Sequence, residues 1–446
     1  MSASRRQDET FSIEHLLRRA GFGATPNETK YYASLGYEES VRRLLKPEHV
    51  DNAELEHLIA GQNFDFTRID DLKRWWLYRM TFTKRPLEEK LTLFWHGHFA
   101  TSFRKTENPY GMYMQNIKMR ELGMGNFHNL LLAMSKDPAM IVWLDNQQNK
   151  KGSPNENYAR EVMELFSLGI GNYSEQDIKQ SARAFTGWQT HPDGFYFNAN
   201  EHDYGDKTFL GQTGDFNGDQ IIDIIAQQTA TARFLSKKLC KFFVSDQPPQ
   251  AILVEVANAY RPGGDNIRDM LWTLFMHEDF RRNAYHAKIK SPAEFVVGAL
   301  KSLQVQKLDS DLPTLMGRMG QALFDPPNVK GWDGGPAWIS TNTMMERFNF
   351  ASRVTQQKFD AIEGYMSPST LIASQGLDSP DRLVTYFLNL LVDSDVPPST
   401  REHLLEYLCT DSANKPVSPL QNDKLLDEKL RGLVHLIMTL PTYQLA

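Results

Sequence analysis

Along most of the chain, apolar residues recur every three or four positions with polar residues between them. That is the spacing of one buried face of an α-helix. It predicts helices over 12–20, 38–45, 69–81, 86–96, 127–135, 175–185, 220–243, 248–260, 267–276 and 382–392, with two more near the C-terminus. The period changes only between Trp188 and Gly211. There Asp193-Gly194 sits between aromatic residues and predicts a hairpin with Phe195 and Phe197 on one face and Tyr196 on the other. The expected fold is mainly α, a multi-helix globular protein with one small β-hairpin insertion near 188–211. The pattern is weakest over 356–381, which places a boundary between a main helical domain at 10–355 and a C-terminal helical segment at 375–446 packed on it.

Three helix starts are written alike: Thr25-Pro26-Asn27-Glu28, Ser153-Pro154-Asn155-Glu156 and Ser291-Pro292-Ala293-Glu294. Each reads as a capping box, with a hydroxyl before the first turn, a proline where no N–H is needed, and a glutamate placed to reach back. In the second of these, Tyr158, Val162, Leu165 and Phe166 form the apolar stripe, and Gly169 offers the stop. Asn157, Arg160, Glu161 and Glu164 fall together on another flank. They are either a solvated, mutually paired face or one wall of a polar cleft.

Composition narrows the function classes. The chain has 446 residues, 41% of them hydrophobic, enough for a substantial core. A formal net charge of −6, with basic residues in scattered pairs such as Lys237-Lys238, argues against a nucleic-acid partner. With only Cys240 and Cys409, neither a disulfide scaffold nor a cysteine metal site can be built. No apolar window is long enough to span a bilayer, so no transmembrane segment is expected. The chain as written reads as cytoplasmic. A periplasmic or exported location follows instead if a removed leader preceded it.

The sharpest local chemistry is Trp95-His96-Gly97-His98-Phe99. Two imidazoles one residue apart share a side on an extended chain and can share a metal, whereas on a continuous helix they point nearly apart. The helix is expected to end at Gly97. His202 and Asp203 would complete a ligand set suited to zinc, iron or manganese, with Asp145 as a further carboxylate. The alternative is structural, with the rings bonded to nearby carbonyls or carboxylates. Asp215, Asn217 and Asp219 resemble a calcium loop but lack its glycine and its final glutamate, so a helix N-cap explains them better. Nucleotide loops and a Gly-x-Ser-x-Gly elbow are absent. Trp332 and Trp338, around Gly334-Gly335-Pro336, either wall a cleft or clamp a long loop.

Several stretches together resemble a bacterial family called domain of unknown function 1800. They are Leu16-Leu17-Arg18-Arg19-Ala20-Gly21-Phe22-Gly23, Leu93 to Phe99, Asp137-Pro138-Ala139-Met140 with Leu144-Asp145-Asn146, Pro154 to Glu161, Ala184-Phe185-Thr186-Gly187-Trp188, His202-Asp203, and Pro326-Pro327-Asn328-Val329-Lys330-Gly331-Trp332. The resemblance carries no reaction, cofactor or catalytic residue with it. Members often look exported and are often encoded beside a second family that resembles alkaline phosphatases and sulfatases. That implies an extracytoplasmic pathway and a protein partner of that class.

Two functions are therefore expected to compete. The first is metal-assisted hydrolysis, with His96, His98, His202 and Asp203 as ligands, Glu161 or Glu164 as general base, Arg160 steadying developing negative charge, and Asn157 beside them. The second is a non-catalytic binding or assembly protein whose charged helix and tryptophan loop hold shape or dock a partner.

Overall fold

The computed structural model describes residues 3–191, 193–356, 358–359, 362–363, 366–373 and 375–446, with side chains outside 3–10 and 357–365. The chain is mainly α, as its periodicity requires, and its apolar faces gather into two cores. The first joins the N-terminal helices to Phe127–Ser135, Asn157–Glu164, Glu175–Ala184, Thr229–Phe243 and Asn266–Met276 through residues such as Leu17, Phe127, Val162, Ile178, Leu239 and Leu271. The second joins Ile69–Phe82, Pro292–Ser302, Leu312–Arg318 and Thr341–Thr355 to Pro380–Val392, Pro398–Cys409 and Asp423–Thr439 through Trp76, Val296, Met316, Phe350, Phe387 and Leu433.

The helix Pro86–His98 lies between them. It gives Leu87, Leu91, Phe94 and Trp95 to the first core and Leu93 to the second. It is buried nearly all round, and takes Glu89, Lys90, Thr92 and both histidines into the interior with its apolar residues.

Boundaries depart from the sequence pattern in four instructive places. The helix expected over 220–243 is two, Gly218–Ala226 and Thr229–Phe243; the first is capped by a reciprocal Asn217/Gln220 box, the N-cap that the sequence preferred to calcium there. Pro109–Leu122 and Pro138–Trp143 are helices that periodicity misses. In the first, Tyr110, Met112, Tyr113, Met114 and Leu122 spread around the axis instead of forming one stripe. The hairpin near 188–211 is a pair of hairpins in series, Trp188–His191 with Gly194–Phe197 and Lys207–Phe209 with Gln212–Gly214. Lys358–Phe359 pairs with Ile362–Glu363 in addition.

The fourth difference concerns the three caps. Thr25 and Ser291 form the complete reciprocal boxes that their sequences predict. Ser153 does not: it lies in a β-bridge with Lys150, and the helix begins at Asn157. The reason is competition from neighbouring asparagines. The Asn155 amide donates to Asn149 Oδ1 at 2.9 Å, and the Asn157 side chain donates to the Leu144 carbonyl at 3.0 Å. Asn155 Oδ1 then takes the Asn157 amide at 2.9 Å, doing locally what Ser153 would have done.

Candidate functional site

His96 and His98 sit on one uninterrupted helix that runs through Gly97 to His98, rather than ending at Gly97. Two residues along a helix is a turn of about 200°, so the imidazoles face opposite cores. His96 packs against Trp76, Phe324 and Trp332, and its Nε2 accepts the Phe324 amide at 3.0 Å. His98 packs among Phe94, Trp95, Phe99, Phe166 and Phe234, and its Nε2–H donates to the Phe166 carbonyl at 2.9 Å. Burial holds both rings neutral, pushing each down to about 3. Because a carbonyl only accepts, His98 must carry its proton on Nε2. That leaves Nδ1 as a lone pair, with no hydrogen-bond partner among the described residues.

His202 and Asp203 stitch the hairpins to the end of Glu175–Ala184. His202 Nδ1–H donates to the Thr186 carbonyl at 2.8 Å, while Asp203 takes Arg183 in a two-pronged pair at 2.7 and 3.0 Å. The convergence assumed for His96, His98, His202 and Asp203 is not found. Among the described residues no group of three or more His, Cys, Asp or Glu side chains is placed to hold a metal ion. Asp145 instead accepts Lys105 at 2.8 Å.

On Asn157–Glu164 the charged flank is mostly engaged. Arg160 forks onto Glu175 at 2.9 and 3.0 Å and also approaches Glu156 at 3.5 Å, holding its guanidinium firmly protonated. Glu164 accepts the Tyr173 hydroxyl at 3.1 Å, and the Asn157 amide group serves the Leu144 carbonyl. Glu161 differs: partial burial, and then the neighbouring Glu164, raise its carboxyl above the usual range, with Arg160 and Lys330 pulling the other way. The structure thus brings Arg160, Glu161 and Glu164 together on one face, where Glu175 and Tyr173, rather than His96 or His202, are their hydrogen-bond partners.

Two of the motifs do meet elsewhere. The segment around Lys330-Gly331-Trp332 lies along the Pro86–His98 helix so closely that a Cβ on Gly331 would come within 2.2 Å of the Gly97 carbonyl oxygen. With φ at +82°, Gly331 is also in a conformation that other residues resist. Between this loop, the Thr229–Phe243 helix and the start of Pro292–Ser302 runs a cleft of about 180 Å³, lined by His98, Lys238, Lys241, Lys330, Trp332 and Trp338 among others. The tryptophans therefore do both things considered for them. Trp332 packs on Gly97 and on the His96 ring, and both tryptophans wall the cleft.

The charges in the cleft do not balance. Lys288 donates to Asp246 at 2.8 Å, and Glu294 takes Lys90 at 2.5 Å, so these acids are spent. Lys238, Lys241 and Lys330 have no carboxylate at ion-pair distance among the described residues, and only Asp333 on the lining opposes them. Lys238 lies 5.3 Å from the Phe234 ring centroid, and burial, followed by repulsion from Lys241 and Lys237, lowers its pKa. Periodicity alone could have pointed to Lys238 and Lys241, three apart on a helix and flanking Phe242. It could not have shown that Lys330 faces them from residues far along the chain.

No curated protein and no solved structure matches this chain. No helix among the described residues is long and apolar enough to cross a membrane. One family model does match, described as "Protein of unknown function (DUF1800)", over residues 15–445, which take in both cores, the cleft and the Asn157–Glu164 helix. The match runs nearly the whole length of the chain, and the protein belongs to the DUF1800 family.

Proposed function

We propose that the protein binds a small organic anion in the tryptophan-walled cleft. The observation that carries this reading is the cation surplus: three lysines without carboxylate partners around an aromatic cavity, one of them depressed in pKa because it is partly desolvated. Such a group gains most from an incoming anion, which repays the cost of holding the charge away from water. Trp332 and Trp338 supply flat apolar surface for a ring or short carbon frame.

Phenyl phosphate and glucuronate, titrated into the full chain and followed by calorimetry and ligand-observed NMR, test the reading. Saturable binding is expected, weakening at least about tenfold for Lys238→Met, which is about 1.4 kcal/mol, and weakening also as salt is raised. Binding that is absent, or indifferent to Lys238→Met, sinks the proposal. A catalytic version would run through Glu161, whose carboxyl is raised by burial and Glu164 and feels the charge of Lys330 at the cleft rim. Glu161→Gln is expected to leave affinity unchanged within twofold while abolishing any turnover.

A further inference from the structure

A second cavity, of about 280 Å³, lies on the other side of Glu294. Glu14, Arg18, Lys30, Lys290, Asp393 and Tyr443 are among its lining residues. Its charges are arranged unlike those of the cleft. Arg18 and Asp393 form a close pair at 2.6 Å, and Glu294 is held by Lys90. Lys290 is buried and has no carboxylate at ion-pair distance among the described residues. Its Nζ donates to the Tyr443 carbonyl at 2.8 Å and stands 3.9 Å from the centroid of the Tyr443 ring.

We infer that Lys290 is a nucleophilic amine that forms a Schiff base with a small aldehyde or ketone entering this cavity. The geometry supplies what the reaction needs. The buried amine lines a half-open cavity, one of its hydrogens is anchored by a carbonyl that fixes its direction, and no carboxylate stands at ion-pair distance among the described residues to lock it as an ammonium ion. The surrounding charges act in the same sense. Desolvation is the largest influence, Arg18 and Arg347 add repulsion, and Asp393 and Glu294 oppose them; the net effect takes Lys290 well below the ordinary lysine range. Arg347, on the Thr341–Thr355 helix, is held nearby by donating to the Lys290 backbone carbonyl at 2.7 Å.

In the reaction, the Nζ lone pair forms a bond to the carbonyl carbon while the carbon–oxygen π pair moves to oxygen, which takes up a proton. The resulting carbinolamine loses its hydroxyl, with a second proton, as water, as the nitrogen lone pair closes the C=N bond. Both protons delivered to oxygen are matched by the two that leave nitrogen, so the net change is amine plus carbonyl to imine plus water. Glu14, in the same cavity and raised to about 7 by burial and then by Asp393, is suited to carry a proton from nitrogen to oxygen. Lys30 at the exposed rim, without an ion-pair partner among the described residues, favours a carbonyl compound that also bears an anionic group.

The test uses the full chain incubated with glyoxylate and sodium cyanoborohydride, which reduces any imine to a stable secondary amine, followed by peptide mapping. The adduct is expected at Lys290 at least tenfold faster than at Lys30 or at other surface lysines near neutral pH, and to be missing from Lys290→Met. Labelling of Lys290 no faster than of Lys30 overturns the inference, and that comparison needs only the unmodified protein. If Lys290→Met does not fold, Glu14→Gln serves as the second variant: at least a threefold slower adduct at Lys290 supports the inference, and an unchanged rate removes Glu14 from it.

Discussion

The two cavities that flank Glu294 contain the same residue type and put it to different chemical uses. In the tryptophan cleft, Lys241 and Lys330 stay exposed at the rim and Lys238 is only partly buried, and the surplus over carboxylates makes them an electrostatic trap for an anion. In the Lys290 cavity, one lysine is buried beside two arginines, and burial first and then their repulsion lower its pKa and favour the neutral amine. The difference is one of solvation. A lysine that keeps some water keeps its charge, and one that loses it is pushed toward the neutral amine.

Glu294 lines both spaces, so its removal strikes the comparison hardest. Glu294→Gln leaves Lys90, fully buried, without its counter-charge, and a loss of about 3 kcal/mol is expected in urea unfolding. The pair also sets the acid limit. Glu294 is lowered to about 2 by Lys90, and Glu89 to about 2 by Arg120 and then Arg79, each against the opposing cost of burial. Carboxylates lowered on folding contribute stability that is present above their ordinary values near 4.5 and is lost as pH falls toward 2. A variant no less stable than the parent would show that the two cavities do not depend on this carboxylate.

Glu14 carries the opposite sign. Its folded value, raised from 4.5 to about 7, means that its contribution is fully present below pH 4.5 and is lost as pH rises through 7. The unfolding free energy of the parent is expected to drop by about 2 kcal/mol more than that of Glu14→Gln between pH 5.5 and 8. Parallel pH curves for the two proteins would show that the Lys290 cavity is better hydrated than its geometry implies.

The smallest expected effect concerns the cap that starts the helix between the cavities. Ser291 closes a complete box with Glu294, so Ser291→Ala should cost about 1 kcal/mol, whereas Ser153→Ala, at an equally well-written motif, should stay within about 0.5 kcal/mol. Equal losses would mean that Ser153 contributes through some contact other than the cap.

Much of the fold was legible because helices report themselves locally. The periods over 127–135 and 267–276 and the Thr25 and Ser291 boxes depend on residues within a turn or two of one another, whereas the helix expected to stop at Gly169 ends already at Glu164. The site was less legible for the same reason. His96 and His98 are separated only by Gly97, and their divergence follows from whether the helix continues past Gly97, which depends on how both cores and the Trp332 loop close around it. Arg160, Glu161 and Glu164 were recognised as a group, and they remain one, but the partners that engage them, Glu175 and Tyr173, come from the next turn and helix.

What the sequence by itself determined is the helical class, most element positions, two of three caps and the family, because capping, periodicity and motif order are short-range properties of the chain. What only the tertiary structure decided is which charges are paired. Lys238, Lys330 and Lys290 look alike as letters. Their chemistry depends on carboxylates and aromatic rings brought in from distant segments, and on how much water the closed cores leave around each amine.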